Sequence, residues 1–224
     1  MVGALLLCIG TYCLGSLLKK KIGKSWCNPL LIACLSVLIF LMITGISGEE
    51  FNEGTGLLTD LLTPALVCLS IPLYKQIRIL KENKLAILAG SISGVAVSFL
   101  TVTIIALLFQ LSYTEYVTLM PKSVTTAIGM AVSEELGGIE SITVAAILIT
   151  GLWGSITAPF ICRVFRIREP IAKGVAIGSS CHVIGTTRAF EMGEVEGAMS
   201  SLSTVVSGLI TAILLPLVAS FYPG

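Results

Sequence analysis

Two polar stretches in an otherwise hydrocarbon-rich chain hold residues capable of chemistry. The stretch from Lys173 to Ser201 reads KGVAIGSSCHVIGTTRAFEMGEVEGAMSS; it contains the only histidine, His182, and six positions later Arg188. The earlier stretch, Pro121 to Gly138, reads PKSVTTAIGMAVSEELGG and brings Lys122, Ser123, Thr125 and Thr126 together. A guanidinium fork matches a carboxylate bidentately. A guanidinium at membrane depth costs roughly 2.5 kcal/mol or more unless paired, so Arg188 needs an anionic partner. A mobile small carboxylate would make Arg188 a binding residue, whereas Glu134, Glu135 or Glu191 would make it half of a structural ion pair.

The other groups carry similar alternatives. Thr125, Thr126, Thr186 and Thr187, with Ser123, either hydrogen-bond ligand oxygens or cap half-helices, whose free N–H groups and positive dipole end suit an anion. His182 titrates near neutral pH and suits proton coupling, or else serves as a packing donor. Lys122 attracts an anion or snorkels to the interface. Glu134, Glu135, Glu194 and Glu196 read as caps or solvated ends.

These residues must be positioned by membrane helices. Hydrophobic residues make up 55% of the 224 and charged residues 12%, and the mean hydropathy is +0.98. This composition describes an all-α polytopic membrane protein, read as one domain over 1–224, with N-terminal helices in 1–114 and the chemistry in 115–224. Apolar runs place spans at Val2 to Leu18, Pro29 to Ser47, Leu57 to Tyr74 (broken by Asp60, Pro64 and Pro72), Leu85 to Gln110, Ile139 to Cys162 and Ala198 to Tyr222. Gly90 and Gly94 form a GxxxG pair that permits close helix contact. The seven cysteines, Cys8, Cys13, Cys27, Cys34, Cys68, Cys162 and Cys181, lack CxxC spacing and read as small packing residues.

Basic clusters at Lys19 to Lys24, Lys75 to Lys84 and Arg163 to Lys173 all belong inside, which puts the N-terminus outside. That parity requires Glu115 to Gly138 to return to the side it entered from. It also makes the stretch after Lys173 a second re-entrant segment of opposite orientation. Sliding Glu135, Gly138 and Ser141 along by about 59 positions lands on Glu194, Gly197 and Ser200. The expected architecture is therefore about six transmembrane helices plus two oppositely oriented re-entrant hairpins, an inverted-repeat, transporter-like arrangement.

Pro121 to Gly138 and Ser179 to Leu202 resemble the two signature blocks of the LrgB/CidB family of bacterial antiholin-like membrane proteins. The C-terminal part of the plant plastidial glycolate/glycerate transporter is similar. The likeness extends upstream through Leu61 to Gln76, and Ala127 departs from the proline common after the paired threonines. The resemblance implies a carrier of small monocarboxylates (glycolate, glycerate, lactate or pyruvate), coupled to H+ or Na+ and working with an LrgA/CidA-type holin-like partner in a homo- or hetero-oligomer. The alternative it implies is an antiholin-like regulator of murein hydrolase export and cell lysis. With no basic region before the first apolar run and no transit peptide, the expected location is the bacterial inner membrane.

An enzyme is the least supported class. A single histidine, no GxSxG elbow and no phosphate loop leave no assembled nucleophile, base and oxyanion group. No cofactor is implied, and a net charge of +1 gives no footprint for nucleic acid.

Overall fold

The computed structural model describes residues 2–22, 28–61, 64, 67–68 and 70–223, so Lys24 and Cys27 of the sequence reading lie outside the described residues. The chain divides into two compact units, Met1–Ile71 and Pro72–Gly224.

In the first unit, α1 (Val2–Ile22) ends on Lys19, Lys20 and Lys21, cations that complement the negative end of the helix dipole. The start of α2 (Pro29–Thr44) is set by Asn28, whose side chain accepts from the Leu30 N–H, and by Pro29 in the first turn. Gly45, at φ 68°, closes α2 in the left-handed conformation. The helices touch at Gly15, whose missing Cβ admits the Pro29 backbone. Two short helices follow, α3 (Gly48–Gly54) and α4 (Gly56–Asp60).

Beyond α5 (Ser70–Lys75), the second unit contains α6 (Ile77–Glu82), α7 (Lys84–Phe109), α8 (Tyr113–Leu119), α9 (Thr126–Glu135), α10 (Glu140–Val164), α11 (Pro170–Met192) and α12 (Glu194–Ala219). Its packing is inverted relative to a water-soluble domain. Leu108 and Trp153 face outward at 74% and 69% exposure, while Ser91, Thr143, Ser200 and Ser203 are fully buried. Where lipid solvates the outer surface, small and hydroxylated residues let helix backbones approach and hydrogen-bond.

Among the described residues, four helices are long and apolar enough to cross a membrane: Gly3–Ile22 of α1, then α7, α10 and α12. The chain is a multi-pass membrane protein. Of the six spans read from the sequence, four coincide with these helices. The second predicted span is a helix of 16 residues, about 24 Å long at 1.5 Å per residue against a hydrocarbon core of about 30 Å. The third includes the short helices α4 and α5, with helical residues at 64, 67 and 68 between them and 62, 63, 65, 66 and 69 outside the described residues.

Candidate functional site

The first polar stretch folds back on itself. Ser112 and Glu115 form a capping box that starts α8, and Glu115 is held below the ordinary carboxylate range by the Ser112 backbone N–H and then by its hydroxyl. Pro121 follows the end of α8, and residues 120–125 turn before α9 begins at Thr126. Gly137, at φ 79°, then makes the tight turn into α10. Both legs are tied to the start of α10. Thr118 on α8 accepts through Oγ1 from the Ile139 N–H at 2.8 Å, and its carbonyl accepts from Thr143 Oγ1 at 2.9 Å. Ser133 on α9 bonds the same Thr143 hydroxyl at 2.7 Å.

The tip of this fold-back lies beside the middle of α7. Lys122 Nζ donates to Ser98 Oγ at 3.3 Å and to Ser123 Oγ at 3.0 Å, and Ser98 donates to Ser123 at 3.2 Å. Among the described residues this half-buried ammonium has hydroxyl partners and no carboxylate. Thr125 is the N-cap residue of α9 but its side chain makes no capping bond.

The second polar stretch also reverses. Helix α11 breaks at His182, whose φ of 44° and ψ of −144° are not helical. Before the break, Gly174 packs on the α12 backbone at Glu196, Gly178 packs on it at Ser200, and Thr204 donates to the Gly178 carbonyl at 3.2 Å. After the break contacts return along α12 in the opposite order, with Thr186 Oγ1 2.8 Å from Ser200 Oγ and Phe190 against Gly197. The legs touch where Ile177 meets Gly185.

At this tip His182 Nε2 donates to the Ile147 carbonyl of α10 at 3.0 Å, and the ring fits because Gly151 has no Cβ. Cys181 packs against Gly154 and shares a 3.1 Å hydrogen bond with Ser180. Gly94 packs on Ser179 one turn along α7 from Ser98, so both tips lie beside the same stretch of α7. A groove of about 730 Å³ between α7 and the first leg of α11 runs from Asn83 and Glu169 up to Val97 and Ser180, next to the tip residues Ser98 and Cys181.

The structure thus brings Lys122, Ser123 and the tip at His182 to the middle of the unit. Arg188 lies on the returning leg of α11, its side chain 18% exposed, paired with Glu191 three residues later. Thr187 is exposed and donates to the Ile184 carbonyl, while Thr186 is buried and donates to the His182 carbonyl at 3.0 Å. Sequence reasoning overlooked Ser98, whereas Cys181 packs as the sequence reading has it. Ser98 is one hydroxyl in an apolar helix that carries several, and only the arrival of Lys122 distinguishes it.

The LrgB-like family matches residues 8–221. The chain belongs to the LrgB-like family. This LrgB-like chain is 37% identical over 219 residues to the "Holin-like protein CidB" of Staphylococcus aureus, covering 97% of this chain and 96% of that one. It is 34% identical over 211 residues to the "Antiholin-like protein LrgB" of Bacillus cereus, covering 94% and 92%. No solved structure matches the LrgB-like chain.

Proposed function

We propose that this protein is an antiholin-like regulator of murein hydrolase export and lysis, acting in the bacterial inner membrane with a smaller LrgA/CidA-type partner. The observation that carries the reading is the near full-length similarity to a holin-like and an antiholin-like protein. In this reading the N-terminus is outside, and both fold-backs enter the membrane as re-entrant hairpins from opposite sides.

A second reading rests on a different observation. The Lys122 ammonium, half-buried at the tip of a fold-back and met only by hydroxyls among the described residues, has the chemistry of an anion site. The neighbouring groove would give it a route to one side. This favours passage of small monocarboxylates, with Ser123, Thr125, Thr126, His182, Thr186, Thr187 and Arg188 around the path and H+ or Na+ as coupling ion. The two readings combine if carboxylate flux is what the lysis machinery senses.

One pair of assays separates them. Extracellular murein hydrolase activity and autolysis rate are measured in a strain lacking the gene and complemented with parent or Lys122→Met. Labelled glycolate, lactate and pyruvate uptake is measured in proteoliposomes, with and without the partner and with imposed H+ or Na+ gradients. Altered lysis without uptake establishes regulation alone, and uptake lost in Lys122→Met establishes the carrier. Unchanged lysis in the deletion strain overturns the regulatory reading.

A further inference from the structure

The turn between α10 and α11 carries a second concave site. A pocket of about 380 Å³ is lined by Arg163, Arg166, Arg168 and Lys173, over a floor that includes Pro159, Cys162, Ile167 and Met192. Three of its cations lie on the last turn of α10 and the loop after it, and the fourth lies on α11. The chain closes around it because Arg166 takes a φ of 53°, uncommon for a residue with a Cβ, while the Ile167 N–H bonds back to the Cys162 carbonyl at 2.8 Å.

We infer that this pocket binds the phosphate of an anionic phospholipid headgroup at the membrane surface. Lys173 is already engaged by Glu196 at 3.6 Å, whereas none of the three arginines has an ion-pair partner among the described residues. Orienting the chain in a membrane requires positive charge but not a pocket and not arginine. The cluster ending α1 has three lysines in its last turn, and Lys75, Lys81 and Lys84 supply three of the four cations around α6. Only the α10–α11 turn concentrates three arginines, whose planar forks grip phosphate oxygens bidentately as a lysine point charge does not. The partly apolar floor at the end of a membrane-crossing helix favours a lipid, whose glycerol and first acyl carbons would cover Pro159 and Met192, over a free phosphate. Basic pockets beside transmembrane helices hold anionic headgroups by this physics.

The test uses the full chain purified in uncharged detergent. Thermal stability and lipid retention by native mass spectrometry are followed while phosphatidylglycerol, cardiolipin or phosphatidylcholine is titrated, with inorganic phosphate at matched ionic strength as a separate arm. The expected result is saturable stabilisation by the two anionic lipids alone, weakened about fivefold in Arg166→Gln, since one juxtamembrane cation contributes about 1 kcal/mol. The triple variant Arg163→Lys, Arg166→Lys, Arg168→Lys keeps the charge that orients the chain and is expected to lose about tenfold in lipid affinity with the forks gone. Stabilisation by inorganic phosphate alone would overturn the lipid assignment in favour of a soluble phosphate-bearing ligand. Equal response to phosphatidylcholine, or a triple variant that binds anionic lipid like the parent, would overturn the site.

Discussion

The two fold-backs reach the middle of the second unit by different chemistry. At the first tip a lysine is solvated by hydroxyls, and the legs are joined by the Thr118, Ser133 and Thr143 side chains. At the second, a histidine in a conformation that glycine usually supplies is locked to a carbonyl, and the leg before it lies directly on another helix's backbone. The first is held by side chains that can change partners, the second by contacts that cannot shift without moving main chain. The first tip therefore keeps a charge among rotatable partners, and the second fixes main chain against main chain.

The largest expected effect tests that contrast directly. A Cβ at Gly178 would overlap the Ser200 carbonyl, whereas one at Gly129 would meet the flexible end of Ile147. Gly178→Ala is expected to cost about 3 kcal/mol, the upper end for overpacking, and Gly129→Ala about 1 kcal/mol. Thermal unfolding in detergent measures both, and equal costs would erase the distinction. Lys122→Met comes next. Removing a half-buried charge should leave stability unchanged or raise it by about 1 kcal/mol, while any carboxylate uptake disappears. A strongly destabilised variant would make Lys122 a structural residue.

His182→Gly relieves the backbone strain but loses the bond to Ile147, so a net cost of about 1 kcal/mol or less is expected, with His182→Ala worse by about 1 kcal/mol because it keeps the strain. If alanine and glycine behave alike in thermal unfolding, the strain argument fails. A double-mutant cycle of Arg188→Gln and Glu191→Gln should give a coupling of about 0.5 kcal/mol, as expected for a partly exposed pair. If Arg188→Gln abolishes uptake and Glu191→Gln does not, the arginine has a second, mobile partner.

The smallest effect lies at the entry to the first fold-back. The Glu115 carboxyl is lowered from its ordinary 4.5 by Ser112, so its contribution to stability is present above that pH and is lost as the pH falls through the lowered value. Ser112→Ala removes the hydroxyl and keeps the backbone N–H, so it should make the loss of stability below pH 4.5 shallower without abolishing it, read by melting across about pH 3 to 6.

Most of the helical layout was legible because apolar runs with glycines and charges at their ends mark lipid-crossing helices directly. Sliding Ser123 by the 59-residue offset lands on His182, the two tips. The end of the second run was less legible: Pro29–Thr44 is as apolar as a crossing helix, and Gly45 closes it in the left-handed conformation after 16 residues. The sequence singles out polar residues without showing how they are arranged. The sequence left Glu134, Glu135 and Glu191 open as partners of Arg188, and the fold selects Glu191, one turn further along the same leg. Lys122 looked like a charge at a mouth because sequence does not say that residues 120–125 reach as deep as Ser98.

The glycines of α7 and α11 have a mechanical consequence. Gly90 and Gly94 press against Val175 and Ser179 on one side of the first α11 leg, and Gly174 and Gly178 press that leg against α12 on the other. Three helices in such close register form a stiff plate, with main-chain contact on the α12 side and the Val175 and Ser179 side chains seated in the α7 glycines on the other. The plate is therefore the rigid frame of the second unit, and the lysine-tipped segment, fastened by rotatable groups, is the part that can flex against it.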